Sequence, residues 1–270
     1  MSTKKISRVG IVGLGAIGKR VLDALQSHHL PDARYAAIEH SSLASSYIDK
    51  HKLDIFADVQ GLLAWKPDLI VECAGHAAVV DSVPAFLEAG VDVVIASIGA
   101  LADKALVAKL ESAAKRGGAR IILVSGAIGG LDAIRSARVA GLDRVVYTGR
   151  KPPQAWAGTP AEEEFDLANI QVPTTIFKGN AAQASSRYPK NANVTAAVAL
   201  SGVGFDATQV ELVADPTVAN NIHEVSAHGA FGDLFIRLVN NPLPDNVKTS
   251  WLAALSIEEA VSKQLLTTQF

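Results

Sequence analysis

Gly13-Leu14-Gly15-Ala16-Ile17-Gly18 directly follows the apolar run Val9 to Val12 and opens an amphipathic stretch from Ala16 to Gln26. Strand, glycine turn and helix in that order call for a nucleotide pyrophosphate at a helix N-terminus. The first glycine makes the turn, the second lets backbone N–H groups approach the phosphates, and the third lets helix and strand pack closely. The string alone is unspecific, and its setting gives it weight. Arg8 to Val12 reads as a buried strand, and a second strand, Arg34 to Ile38, ends at Glu39. An acidic side chain there falls in the window that reaches the adenosine ribose hydroxyls. Gly13, Gly15, Ala16, Ile17, Gly18 and Glu39 are therefore the expected cofactor-binding residues of the first segment.

Outward from this turn, short β-branched runs alternate with helical patterns up to about Ser125. Asp68 to Glu72, Val91 to Ile95 and Arg120 to Val124 read as strands, and Val79 to Glu88 and Asp103 to Lys115 as helices. The alternation predicts an α/β fold, a Rossmann-type doubly wound parallel sheet with helices on both faces. Ligands in such folds lie at the carboxyl ends of strands, which directs attention to Gly13, Glu39, Cys73 to His76, Ser97 to Gly99 and Ser125 to Ala127. After Gly126 the texture changes. Ile128 to Ala140 reads as a glycine-initiated helix, Arg144 to Thr148 as a strand, Gly149 to Pro160 as a loop and Ala192 to Ser201 as a buried helix. Gln209 to Ala214, His223 to Ala227 and Leu234 to Val239 alternate as strands of an antiparallel sheet. The expected division is a dinucleotide-binding domain over 1–125 and an α+β substrate and dimerisation domain over 126–240. A helix from about Thr249 to Leu266, within 241–270, is expected to return to the first domain.

The chain has 270 residues, 49% of them hydrophobic, enough to bury a substantial core. Its 27 acidic residues nearly balance 25 basic ones, and without a dense Lys/Arg block there is no electrostatic footprint for nucleic acid or an anionic membrane. One cysteine excludes an internal disulfide and fits a reducing cytoplasm. Met1 to Ser7 is polar and basic, with no apolar signal region before the first strand. No His-Glu-x-x-His, clustered carboxylate or cysteine spacing points to a metal. A Gly-x-Ser-x-Gly elbow for a serine nucleophile is also missing.

A dinucleotide that carries hydride needs a partner that manages protons, and histidine suits the task because its ordinary pKa lies near working pH. Of seven histidines, His28, His29, His40 and His51 sit in polar contexts that read as solvated surface. His76 follows a strand end and divides evenly between facing the nicotinamide and capping a helix. His223, in Asn220-Asn221-Ile222-His223-Glu224-Val225, opens a strand of the second domain, polar on one side and apolar on the other. A lone strand histidine is more often structural, yet the first domain offers no base and the second must supply one. His228 beside Gly229 competes, in a setting that suggests exposure. Arg187 to Asn193 brings cations and amides to a helix start, for anion binding or for ordinary capping by Asn191 or Asn193. Thr148 to Pro153 is either a carboxylate clamp or a rigid exposed turn, the turn being favoured.

These same segments resemble the L-aspartate dehydrogenase family over nearly the whole length. The resemblance rests on Gly13 to Gly18, Ser97 to Asp103, Ser125-Gly126-Ala127-Ile128-Gly129-Gly130-Leu131-Asp132, Tyr147 to Pro153, Tyr188 to Thr195, Asn221 to Val225 and Asn241 to Ser256. Their order and combination are specific, above all Thr148 to Trp156 and Pro242 to Trp251. Val247 stands where family members often carry proline, a loop change without bearing on catalysis. The resemblance implies oxidative deamination of L-aspartate with NAD, NADP also being accepted, to iminoaspartate that hydrolyses to oxaloacetate and ammonia. A link to NAD biosynthesis follows, through iminoaspartate. It also implies His223 as the active-site histidine, and Ala127 and Asn193 as cofactor contacts. Glu39 favours NAD by repelling a 2′-phosphate, while His40, Ser41 and Ser42 could tolerate one. Related homoserine dehydrogenases or dihydrodipicolinate reductases lack the combination of Asn-Ile-His-Glu-Val with Tyr-Thr-Gly-Arg-Lys-Pro-Pro. A dinucleotide-binding sensor that has lost turnover would share the fold. A sheet face in the second domain leads us to expect a homodimer.

Overall fold

A computed structural model describes residues 6–41, 43, 45–244 and 246–266. Two compact units emerge, one spanning Met1–Val124 and Ala254–Phe270, the other Ser125–Ala253.

In the first unit the elements follow as β1 (Arg8–Val12), α1 (Ala16–Ala24), β2 (Arg34–Ile38), α2 (Ser45–His51), β3 (Leu53–Phe56), α3 (Val59–Ala64), β4 (Leu69–Glu72), α4 (His76–Asp81), α5 (Val83–Glu88), β5 (Asp92–Ile95), α6 (Lys104–Gly117) and β6 (Ile121–Leu123). The strands form one parallel sheet in the order β3-β2-β1-β4-β5-β6, the doubly wound order that reverses direction beside β1. β1 and β4 are almost wholly buried, as strands covered on both faces must be. Because every strand runs the same way, Gly13, Glu39, Cys73 and Ser97 all follow strand ends on one edge of this sheet. The expected helix Val79 to Glu88 is two helices, α4 and α5, with Pro84 in the first turn of α5. Proline has no N–H to continue a helix from the preceding turn. α6 starts on an Asp103 cap that accepts from the N–H of Ala105 and Leu106, and ends at Gly118 with φ 66°.

The second unit continues with α7 (Leu131–Ala140), β7 (Leu142–Lys151), α8 (Ala161–Glu164), β8 (Thr174–Asn180), α9 (Ala181–Arg187), α10 (Ala192–Ser201), β9 (Gln209–Ala214), β10 (Asn221–Gly229), β11 (Gly232–Asn240), β12 (Pro242–Leu243), β13 (Asn246–Ser250) and the start of α11 (Trp251–Lys263). Its five-stranded sheet has the order β11-β10-β7-β9-β8. The sheet is mixed rather than wholly antiparallel, because β7 and β9 pair parallel. The chain leaves β7 and returns through β8, α9 and α10, a crossover of the length that parallel pairing requires. β7 also runs three residues further than the sequence implies, so Gly149, Arg150 and Lys151 are strand and not loop. α10 packs between α7 and α9 and is buried on nearly every side, as its apolar composition dictates. α11 begins in the second unit and from Ala254 belongs to the first, where Glu258 faces Arg20 of α1 at 3.4 Å.

Candidate active site

The glycine turn has the geometry that a pyrophosphate requires. A Cβ at Gly13, where φ is +88°, would lie 2.7 Å from Ala74 Cα, and one at Gly18 would lie 2.0 Å from the Gly13 carbonyl oxygen. At Gly15, by contrast, a Cβ would meet no atom within 4 Å. Gly15 therefore contributes room and not packing. It is the N-cap of α1 and offers no side-chain cap to the helix, whose Ala16, Ile17 and Gly18 open the first turn. A cradle with open space at its middle glycine and uncapped helical N–H groups fits a dinucleotide phosphate.

Glu39 is brought to that turn. One carboxylate oxygen accepts the Leu14 N–H at 2.5 Å and the other accepts the Ser41 N–H and hydroxyl, both at 2.8 Å. Burial opposes ionisation of Glu39, but donors from Ser41, Leu14 and His40 outweigh it and hold the carboxyl below its ordinary range. Ser42, one of the residues expected to tolerate a 2′-phosphate, lies outside the described residues.

A second carboxylate on this edge escaped the sequence reading. Glu72, at the end of β4, is fully buried and accepts the N–H groups of Ala74 and Gly75 at 2.8 Å. It also accepts the N–H and hydroxyl of Ser97, each at 2.9 Å. It thereby ties the loop after β4 to the loop after β5. A glutamate closing an otherwise apolar strand, followed by a serine after the next strand, was the available signal. His76 opens α4 just beyond, half-buried.

In the second unit, pairing register decides which side chains meet. His223 on β10 stands opposite Gly149 on β7, so its side chain shares a face with those of Tyr147 and Lys151. His223 Nδ1 and the Tyr147 hydroxyl are 2.8 Å apart, and the two rings stack with centroids 6.0 Å apart. Gly149 makes the contact feasible, because a Cβ there would sit 2.8 Å from the Tyr147 oxygen. Burial, helped by the charge of Lys151, pushes the His223 pKa from 6.5 down to about 3. The Tyr147 hydroxyl is pushed up by burial and keeps its proton. Lys151 Nζ donates to Asn191 Oδ1 and lies 5.2 Å from the centroid of the buried Trp156 ring. Desolvation lowers its pKa to about 8.

Thr148 to Lys151 is not an exposed turn; it is a strand whose Lys151 faces His223. Asn191 precedes α10 but its side chain caps nothing, being spent on Lys151. Asn193 lies in the first turn of α10, and the side chain of Lys190 is outside the described ones. Ala127 is buried, its carbonyl fixed by Asn240 Nδ2 at 2.9 Å. His228 is exposed and paired with Asp233 at 2.8 Å. His51 is not solvated, for it closes α2 buried against Tyr47, with Nδ1 2.7 Å from Gln26 Oε1. Its polar sequence neighbours concealed that the last turn of α2 packs on the Gln26 side of the chain. Among the described residues no group of three His, Cys, Asp or Glu could hold a metal ion, and no helix is long and apolar enough to cross a membrane.

Residues 132–264 match the family model described as aspartate dehydrogenase, C-terminal, and residues 13–124 match that described as homoserine dehydrogenase, NAD binding domain. An L-aspartate dehydrogenase of Ralstonia pickettii is 45% identical over 268 residues, covering 95% of this chain and 97% of that protein. The chain belongs to the L-aspartate dehydrogenase family. Another member, from Pseudomonas aeruginosa, is 43% identical over 256 residues, covering 93% of this chain and 95% of its own length. The crystal structure of aspartate dehydrogenase from Thermotoga maritima shares the family fold, with a TM-score of 0.75 at 24% identity over 99% of this chain and all of that one. Membership makes the first unit a pyridine-nucleotide-binding domain and the chain an oxidoreductase.

Proposed function

We propose that the chain oxidatively deaminates L-aspartate with NAD or NADP, giving iminoaspartate that hydrolyses to oxaloacetate and ammonia. Reductive amination is the reverse use of the same site. The first unit would bind the dinucleotide through Gly13, Gly15, Ala16, Ile17, Gly18 and Glu39, and the second would carry substrate, with Ala127 and Asn193 touching the cofactor. When bound, the nicotinamide supplies the hydride acceptor. The observation that carries the reading is His223, a buried neutral imidazole on the substrate unit of a chain in this family. With Nδ1–H donated to the Tyr147 oxygen, Nε2 is an acceptor for a proton from the substrate amine or the attacking water. With the phenol donating instead, Nε2 carries the proton that the reductive direction needs. The two directions thus use opposite tautomers of His223, and passing from one to the other takes a proton gained at Nε2 and one lost from Nδ1 as the Tyr147 hydroxyl turns from acceptor to donor.

NAD is the favoured cofactor, since Glu39 stays ionised and Ser41 is committed to it, leaving negative charge where a 2′-phosphate would lie. We assign the chain to the cytoplasm, where Cys73, with its thiol pushed up by burial, remains an inert thiol. We assign it to a homodimer formed through the open face of the second sheet. That face shows Phe235 at 66% and Val239 at 53% exposure around the Arg237–Glu224 pair.

The test is cofactor reduction followed by absorbance with L-aspartate, D-aspartate, glutamate and homoserine. Wild type should respond to L-aspartate and prefer NAD, Glu39→Ala should narrow that preference, and His223→Ala should lose about 100-fold or more in turnover with dinucleotide affinity intact. Dinucleotide binding without aspartate-dependent reduction would instead make the chain a sensor.

A further inference from the structure

Arg150 and Lys151 are neighbours on β7, and strand alternation sends them to opposite faces. Arg150 is neutralised on the open face by Asp215 at 3.0 Å and Glu224 at 3.8 Å. Lys151 lies on the face of Tyr147 and His223, half-buried, and its partners are an amide oxygen and an indole ring. Among the described residues no carboxylate pairs with it. Asn191, which it holds, is the N-cap residue of the ten-residue helix α10, whose first turn contains no acidic side chain. An ammonium, a neutral imidazole and the positive end of a helix thus converge with no anion among them. The buried neutral His223 explains the proton chemistry, but it leaves the charge of Lys151 without a counterpart.

We propose that Lys151 binds a carboxylate of the dicarboxylic amino-acid substrate, held in place by Asn191 and Trp156. The inference rests on the aspartate reading above and adds the residue that recognises the charge of the substrate. Desolvation, which lowers the Lys151 pKa to about 8, is the condition under which an incoming carboxylate is bound most strongly.

The experiment compares wild type, Lys151→Met and Lys151→Arg in the presence of saturating dinucleotide. It reads KM and kcat for L-aspartate, and the affinity for succinate, a dicarboxylate without the amine, by calorimetry. Lys151→Met should raise the aspartate KM and the succinate Kd by about 30-fold, while Lys151→Arg, which keeps the charge, should recover most of both. The dinucleotide Kd and the unfolding midpoint should stay near wild type. Unchanged succinate binding in Lys151→Met would overturn the proposal. So would a collapse of kcat in Lys151→Arg with KM unchanged, which would make Lys151 a proton carrier. Failure of wild type to oxidise aspartate would count against the activity reading, whereas the succinate arm reports on Lys151 alone.

Discussion

At position 223 an imidazole with 5% exposure has exchanged the option of charge for a hydrogen bond to Tyr147 at 2.8 Å. That exchange makes stability depend on pH. An unfolded His223 takes a proton near pH 6.5, whereas the folded one resists it down to about pH 3. Between these values the unfolded state binds more protons, so the contribution present above pH 6.5 is lost as pH falls, at about 1.4 kcal/mol per pH unit. His51, whose pKa burial also lowers, adds in the same direction. Urea unfolding at pH 7 and pH 5 should therefore show a smaller acid loss in His223→Asn than in wild type. Identical losses would mean that the imidazole is protonated in the folded chain. The sequence pointed to His223, but its partner Tyr147 was legible only as part of a motif. A hydrogen bond across 76 positions has no local signature.

At the scale of elements, the glycine turn and β7 show two kinds of constraint. In the turn, Gly18 is required by packing, since its Cβ would strike the Gly13 carbonyl oxygen at 2.0 Å, while Gly15 has open space around it. Gly18→Ala should therefore lower the unfolding midpoint and abolish dinucleotide binding. Gly15→Ala should leave the midpoint close to wild type and still weaken binding about 10-fold or more, by filling the space that a phosphate needs. Equal midpoints for the two variants would contradict this division of roles. The turn was fully legible because its chemistry is local: three glycines after an apolar strand. β7 was legible only to Thr148, for Gly149, Pro152 and Pro153 carry turn chemistry. Pairing with β9 and β10 through Lys151 overrides that local preference.

For the whole molecule, the second sheet has one covered face, which carries His223, and one open face, to which we assign the proposed dimer contact. Val145, Tyr147, His223, Val225 and Ala227 are buried on one face, and Phe235 and Val239 stand exposed on the other. If the proposed dimer forms there, wild type should elute as a dimer at micromolar concentration and Phe235→Lys as a monomer, since a charge placed in an apolar contact is costly to desolvate. An unchanged mass would place the contact elsewhere. Local sequence was enough for the doubly wound first unit, the glycine turn followed by a strand ending at Glu39, the buried α10 and the candidacy of His223. Each of these rests on periodicity, glycine spacing or residue chemistry that acts over a few positions. It took the folded chain to show that Arg150 is spent on Asp215 while Lys151 shares the face of His223, that Asn191 serves Lys151 and not its helix, and that Glu72 ties two loops together. Strand alternation assigns side chains to faces only once the pairing register is set. That register is a property of chain segments far apart in the sequence.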